Sequence, residues 1–283
     1  MPSARELILS GEKRLAEGQH AANARADAEY MLLATLGVSR ANLFAHLDEE
    51  ILPLKAAPYL ATLERRVTGE PVQYVIGETE FYGLPFRVTP DVLIPRPETE
   101  HLVEKIIELS ARFDQPRIAD IGAGSGAIAI TLAHKLPHAR VTAIDISNAA
   151  LAIAKGNAGR NDVKERIRFL QGDILAPVTA EDFEIIVSNP PYVPTADRDS
   201  LSVEVRDFEP GLALFAGEDG LEIYRRLIPA AYAQLVPGGY LALEIGYGQQ
   251  EAIRALLNES GFADIEFLPD LQQIPRVAVA RKP

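Results

Sequence analysis

Asn189-Pro190-Pro191-Tyr192 concentrates more chemistry into four residues than any other segment of the chain. It follows Phe183-Glu184-Ile185-Ile186-Val187-Ser188, an apolar run that reads as a buried strand. A planar amide or exocyclic ring nitrogen has its lone pair delocalised, so it reacts only when held in line with an electrophile. The Asn189 side-chain oxygen and the Pro190 carbonyl are two acceptors that can take both hydrogens of a planar NH2 group and aim its nitrogen. As positive charge grows there, the same dipoles stabilise it. Pro190 and Pro191 stiffen the loop through their fixed φ. Tyr192 offers an aromatic face for a planar group and a favourable neighbour for a cation. No strong general base is needed, because the product cation is acidic enough to lose its proton to water or to a gripping oxygen. The plain alternative is a stiff turn with Asn in its first position.

A grip of this kind needs an electrophile beside it. Asp120-Ile121-Gly122-Ala123-Gly124-Ser125-Gly126 follows a short apolar strand and precedes the helical run from Ala127. Glycines there let the backbone turn sharply and approach a ligand closely. A dinucleotide site would space them G-x-G-x-x-G beneath a pyrophosphate, whereas the spacing here is G-x-G-x-G with Asp120 beside it. An acid repels pyrophosphate and suits a ligand carrying an ammonium group and hydroxyls, as S-adenosylmethionine does. The next strand, Arg140 to Ile144, ends in Asp145, placed to accept from two ribose hydroxyls. After the following strand, Asp173 can accept from an adenine amino group and Ile174 can pack on the ring. Competing readings are a tight turn with an exposed acid, a nicotinamide-binding dehydrogenase, and Asp173 as an ordinary turn residue.

The elements that must position these loops alternate in the second part of the chain. Strands are expected at Arg117 to Ile121, Arg140 to Ile144, Ile167 to Gln171, Phe183 to Val187 and Gly239 to Glu244, with helices from Ala127, from Asn148 and near Leu221. Such alternation implies an α/β, Rossmann-like, mostly parallel sheet whose ligand crevice lies at the carboxyl ends of the strands. Ala263 to Leu268 and Arg276 to Arg281 have no helix between them and should close the sheet as an antiparallel hairpin. Residues 1–72 read as a small helical bundle, with apolar Leu7, Ile8, Leu15, Tyr30, Leu32 and Leu33 at helical spacing, Ala-rich support at Ala21 to Ala28, and breaks at Gly37 and Pro53. Residues 73–97 read as a hairpin linker, with extended pieces at Val72 to Ile76, Phe81 to Tyr82 and Phe86 to Val88. A helix starts near Glu98 with Pro97 in its first turn, and residues 98–283 form the catalytic domain. The bundle is either a stabilising cap or a substrate-docking module.

Composition narrows the classes. The chain has no cysteine, which excludes disulfides, thiolate metal sites and cysteine nucleophiles. The five histidines, His20, His46, His101, His134 and His138, show no metal-ligand spacing, and no metal is expected. No apolar run is long enough to span a bilayer, and a cytoplasmic protein is expected. A net charge of -12 argues against broad neutralisation of nucleic-acid phosphates, so direct nucleic-acid binding is not expected.

With these residues assembled, the chain resembles the class I S-adenosylmethionine-dependent methyltransferases, and among them the PrmC/HemK family of peptide chain release factor N5-glutamine methyltransferases. Three further segments carry the likeness: Gly69-Glu70-Pro71-Val72-Gln73-Tyr74-Val75-Ile76-Gly77 continuing to Glu80-Phe81-Tyr82-Gly83; Ile94-Pro95-Arg96-Pro97-Glu98-Thr99-Glu100; and Asp207-Phe208-Glu209-Pro210 with Ala213-Leu214 and Gly217-Glu218-Asp219-Gly220-Leu221. The resemblance implies methyl transfer from S-adenosylmethionine, leaving S-adenosylhomocysteine, to the glutamine of the Gly-Gly-Gln motif in class 1 release factors. It implies cofactor contacts at Asp120, Gly122, Ala123, Gly124, Ser125, Gly126, Asp145, Asp173, Ile174 and Asn189. Catalysis would fall to Asn189, Pro190 and Tyr192, with Pro191 and Arg96 also at the substrate. Glu244 at a late strand end is left as either a substrate contact or a strand cap. Competing readings are an amino-methyltransferase acting on adenine N6 or guanine N2, and a non-catalytic module that senses the cofactor. A monomer is expected.

Overall fold

The computed structural model describes residues 1–18 and 23–283. His20 and the alanines Ala21 and Ala22 lie outside the described residues. The chain divides into two compact units, one of residues 1–78 with 202–208, the other of residues 79–201 with 209–283.

The first unit is helical. Helix α1 (Ala4–Ala16) starts from a capping box, in which Glu6 N donates to Ser3 Oγ at 3.2 Å and Ser3 N donates to a Glu6 carboxyl oxygen at 2.9 Å. Helix α2 (Ala24–Leu36) ends at Gly37, whose φ of 65° a side chain would resist. Helices α3 (Arg40–Ala45), α4 (Pro53–Val67) and α5 (Val72–Ile76) follow, with Pro53 at the first position of α4, where its missing N–H costs nothing. Leu7, Ile8, Leu15, Met31, Leu32, Tyr59 and Leu63 form the core, each fully buried aliphatic side chain contributing roughly 1.5–3 kcal/mol. Gly11 admits the Tyr59 ring, since a Cβ there would stand 2.1 Å from its hydroxyl. Arg66, 3% exposed, pairs with Asp27 at 2.7 Å. Tyr30 lies in α2, as its helical spacing implies, and faces outward at 40% exposure. One expectation fails here. Val72 to Ile76 is helical rather than extended, because Pro71 opens a turn and Gly77, at φ 86°, closes it.

From Thr79 the second unit opens with a small hairpin, β1 (Glu78–Phe81), whose first residue is the last of the preceding unit, and β2 (Leu84–Arg87), then helix α6 (Glu98–Ser110), which begins directly after Pro97. Strands and helices then alternate: β3 (Arg117–Ile121), α7 (Ala127–Lys135), β4 (Arg140–Asp145), α8 (Asn148–Arg160), β5 (Ile167–Gln171) and β6 (Phe183–Ser188). Helix α9 (Val203–Phe208) belongs to the first unit. After it come α10 (Glu222–Gln234), β7 (Leu235–Glu244), α11 (Gln250–Glu259), β8 (Ala263–Pro269) and β9 (Pro275–Arg281). The sheet order is β5-β4-β3-β6-β7-β9-β8, with β3 to β7 parallel and β9 antiparallel to both neighbours. This is the expected Rossmann-like sheet with its C-terminal hairpin. Side chains alternate between its faces: Val141, Val187, Ala242 and Val279 join one core cluster, while Ile144, Ile186, Leu243 and Ala280 join the other. Helix α11, which the sequence reading did not foresee, covers the second face through Ile253 and Leu257. The order reverses between β3 and β6, so the loops after these strands part and leave a crevice.

Candidate active site

The loop after β3 makes the crevice floor. Gly122 (φ 72°), Gly124 (φ 55°) and Gly126 (φ 83°) are all left-handed, a geometry that side chains resist. A Cβ on Gly122 would meet no protein atom within 4 Å and would stand in the open crevice. Gly126 differs, since its Cβ would press on Ile130 Cδ1 at 2.7 Å and Ala154 Cβ at 3.1 Å, so it serves the packing of α7 on α8. Gly122 N and Ala123 N donate to the Ile144 carbonyl at 2.8 and 3.0 Å, and Gly124 N donates to Asp145 Oδ2 at 2.8 Å. Asp145 Oδ1 accepts from Ser147 N at 2.8 Å. Asp145 therefore ties the glycine loop to the end of β4 while standing in the crevice wall.

Asp120 turns away from that wall. It is fully buried, with Oδ2 accepting from Ala129 N at 3.0 Å and Oδ1 lacking a partner. Because Gly126 at the start of α7 has no side chain to cap it, Asp120 supplies the acceptor for the first turn. Burial pushes its carboxyl up to about 7, and nearby Asp145 adds to the shift.

Asn189 lies in the loop after β6, where Ser188 Oγ donates to the Ile121 carbonyl at 2.7 Å and clamps the ends of β6 and β3 together. Its Nδ2 donates to Thr99 Oγ1 at 3.1 Å, and Thr99 Oγ1 donates to Glu244 Oε2 at 2.6 Å. Tyr192 packs beside Gly246, where a Cβ would stand 3.0 Å from the ring. Its carbonyl accepts from Gln249 Nε2 at 3.0 Å, and a Cβ on Gly220 would stand only 2.3 Å from that oxygen. Burial, with Glu244 next, pushes the Tyr192 hydroxyl up to about 12, so it stays neutral near pH 7. Glu244, 2% exposed, is pushed up to about 7 by its burial; Thr99, Arg276 and Asn189 act in the opposite direction and Glu98 adds to the rise.

A cavity of about 440 Å3, within the roughly 300–1,000 Å3 usual for small-molecule sites, joins these loops. Its walls include Gly122, Ala123, Gly124, Ser125, Asp145, Asp173, Ile174, Asn189, Pro190, Pro191, Arg96 and Thr99. Asp120, Gly126 and Tyr192, also expected at the site, do not line it: the first two support α7 and the third packs behind the Asn189 loop. Asp173 pairs with Arg226 across the rim, and Ile174, held at φ 51°, lines the wall and packs on the second core cluster. Arg96 donates to both carboxyl oxygens of Glu209 at 2.7 and 2.6 Å, which ties the segment before α6 to the loop after α9. Thr99, between Arg96 and Glu100, has no functional signature of its own in the sequence. Glu244 carried a signal there, an acid ending the apolar run Tyr240-Leu241-Ala242-Leu243. Among the described residues no group of three His, Asp or Glu side chains is arranged to hold a metal.

The Methyltransferase small domain family matches residues 98–205 and the PrmC N-terminal domain family matches residues 6–77. The chain is 43% identical to the release factor glutamine methyltransferase of Koribacter versatilis, over 92% of this chain and 91% of that one. It is 45% identical to the release factor glutamine methyltransferase of Moorella thermoacetica, over 94% of each. The chain belongs to the release factor glutamine methyltransferase family. Among solved structures, a ribosomal protein L11 methylase from Lactobacillus delbrueckii subsp. bulgaricus is 28% identical, with a TM-score of 0.50, covering 66% of this chain and 81% of its own. Membership in the release factor glutamine methyltransferase family makes the chain a methyltransferase, and the small-domain match spans both the glycine loop and Asn189-Pro190-Pro191-Tyr192 while ending before Glu244.

Proposed function

We propose that this enzyme transfers a methyl group from S-adenosylmethionine to the side-chain amide N5 of the glutamine in the Gly-Gly-Gln motif of class 1 peptide chain release factors. The observation that carries the reading is one cavity that joins a glycine loop and Asp145 to Asn189-Pro190-Pro191. The wall fits the cofactor. Gly122 leaves open space where a β-carbon would intrude, Asp145 offers acceptors for ribose hydroxyls, and Ile146 and Ile174 supply apolar surface for an adenine ring. Bound there, S-adenosylmethionine supplies an electrophilic methyl on a sulfonium.

The remaining work belongs to the chain. Asn189 Oδ1 and the Pro190 carbonyl accept the two amide hydrogens and hold the nitrogen in line, which removes most of the orientational cost. Their dipoles stabilise the positive charge that develops on nitrogen. Tyr192 is neutral near pH 7 and serves as an aromatic wall behind the loop rather than as a base. The released proton passes to water or a gripping oxygen. Asp173, already paired with Arg226, has its second carboxyl oxygen to offer the adenine amino group.

None of the described residues of the helical unit lines the cavity, and that unit is assigned the docking of the release factor. The enzyme is assigned to the cytoplasm, where translation occurs, and to a monomeric state. Among the described residues no helix is long and apolar enough to cross a membrane. The test is incubation with labelled S-adenosylmethionine and, in parallel, a release factor, its Gln-to-Ala version and total nucleic acid. Label confined to the unaltered release factor is expected. Label on nucleic acid, or equal label on both proteins, rejects the assignment.

A further inference from the structure

Asn189 is useful only if its amide points the right way, and an asparagine side chain is almost symmetric in shape while opposite in polarity. Its nitrogen donates to Thr99 Oγ1 at 3.1 Å. Thr99 has one hydroxyl hydrogen, and that hydrogen goes to Glu244 Oε2 at 2.6 Å. An ionised carboxylate only accepts, so Thr99 must donate to it and can offer Asn189 nothing but a lone pair. The NH2 end of Asn189 is thereby held on Thr99 and beside the Glu244 carboxylate, which it also favours directly, and Oδ1 remains the polar atom for the cavity that Asn189 lines.

We propose that Thr99 and Glu244 are positioning residues that set the polarity of the Asn189 amide, ionised Glu244 holding the acceptor oxygen toward the substrate and protonated Glu244 releasing it. The inference rests on the reading that Asn189 accepts from the substrate amide. Once protonated, Glu244 can donate to Thr99, which then donates to Asn189; the amide turns over and presents N–H to a substrate that also presents N–H. The groups facing Glu244 are Thr99 and Glu98 of α6, Asn189 and Tyr192 of the loop after β6, Tyr224 of α10, whose hydroxyl donates to the Glu244 carbonyl at 2.7 Å, and Arg276 of β9. Burial holds the Glu244 carboxyl at about 7, so both states are reached near neutrality.

The direct test follows the side-chain 1H–15N resonances of Asn189, identified by their loss in Asn189→Ala, from acid to alkaline pH. In the unaltered protein they are expected to shift with one midpoint near 7, to stop shifting in Glu244→Gln, to shift far less in Thr99→Val, where only the direct influence of Glu244 on Asn189 remains, and to regain the full shift in Thr99→Ser. Turnover on a release factor is measured alongside. Thr99→Val is expected to lower kcat by about tenfold or more with little change in KM for S-adenosylmethionine, Thr99→Ser to restore it, and Glu244→Gln to lose the fall in kcat toward acid pH. Unchanged titration of Asn189 in Thr99→Val, or unchanged kcat in that variant, overturns the relay. Failure of the unaltered protein to methylate glutamine defeats the functional reading instead, and the resonance titration still decides the relay.

Discussion

Asn189 and Asp145 act on different partners, and substitutions should separate them. Asn189→Ala removes one acceptor for the substrate amide and leaves the glycine loop intact, so kcat is expected to fall by about 10²–10³-fold while S-adenosylmethionine affinity, measured by calorimetry, stays within about twofold. Equal loss of both would make Asn189 a structural residue. Asp145→Asn exchanges an acceptor oxygen for a donor nitrogen, yet both oxygens already accept backbone hydrogens, from Gly124 and Ser147. One of those bonds must break and a ribose acceptor is lost as well, so cofactor Kd should rise about tenfold or more with KM for the release factor unchanged. Residue types and spacing alone pointed to Asn189 and Asp145, which the fold brings to one cavity. Thr99 was hidden because a threonine after a proline-rich segment has no signature until the fold brings it to Glu244, 145 positions away in sequence.

At the scale of elements, the strand-helix alternation was legible because each strand here is a short apolar run bounded by punctuating residues. Asn148 opens α8 as expected, Ser147 capping it through a bond from Ala150 N at 3.1 Å. Helix α5 was misread since β-branched and aromatic residues over five positions favour an extended reading, while the turn at Pro71 and Gly77 decides otherwise. The roles of the glycines were likewise visible only in part. Gly122 opens the crevice, but Gly126 sits against Ile130 and Ala154, a distinction that the spacing G-x-G-x-G does not contain. Gly126→Ala adds a methyl at φ 83° against those side chains and should destabilise the domain by about 1–3 kcal/mol, seen as a lower urea midpoint with unchanged slope. A midpoint equal to that of the unaltered protein would show that the helices yield without strain.

For the whole molecule, two buried carboxyls set an unusual pH dependence. Asp120 and Glu244 are both raised to about 7 in the folded chain, from ordinary values of 3.8 and 4.5. The folded state binds their protons more tightly than the unfolded state, so their contribution is complete below about pH 4 and fades as pH rises through about 7. Asp120→Asn removes one of these protons and should be more stable than the unaltered protein at pH 8 than at pH 5, by on the order of a few kcal/mol in relative terms from urea titrations. Parallel curves at the two pH values would mean that Asp120 is ionised in the fold. The acidic balance of -12 leaves the choice between protein and nucleic acid to the family match and to experiment. The central claim is tested most directly by mass spectrometry of a release factor after reaction with S-adenosylmethionine and either this enzyme or its Asn189→Ala variant. A single methyl on the side-chain nitrogen of the Gly-Gly-Gln glutamine, present with the unaltered enzyme and nearly absent with the variant, is the predicted result. A methyl on another residue, or equal modification by both enzymes, would contradict it.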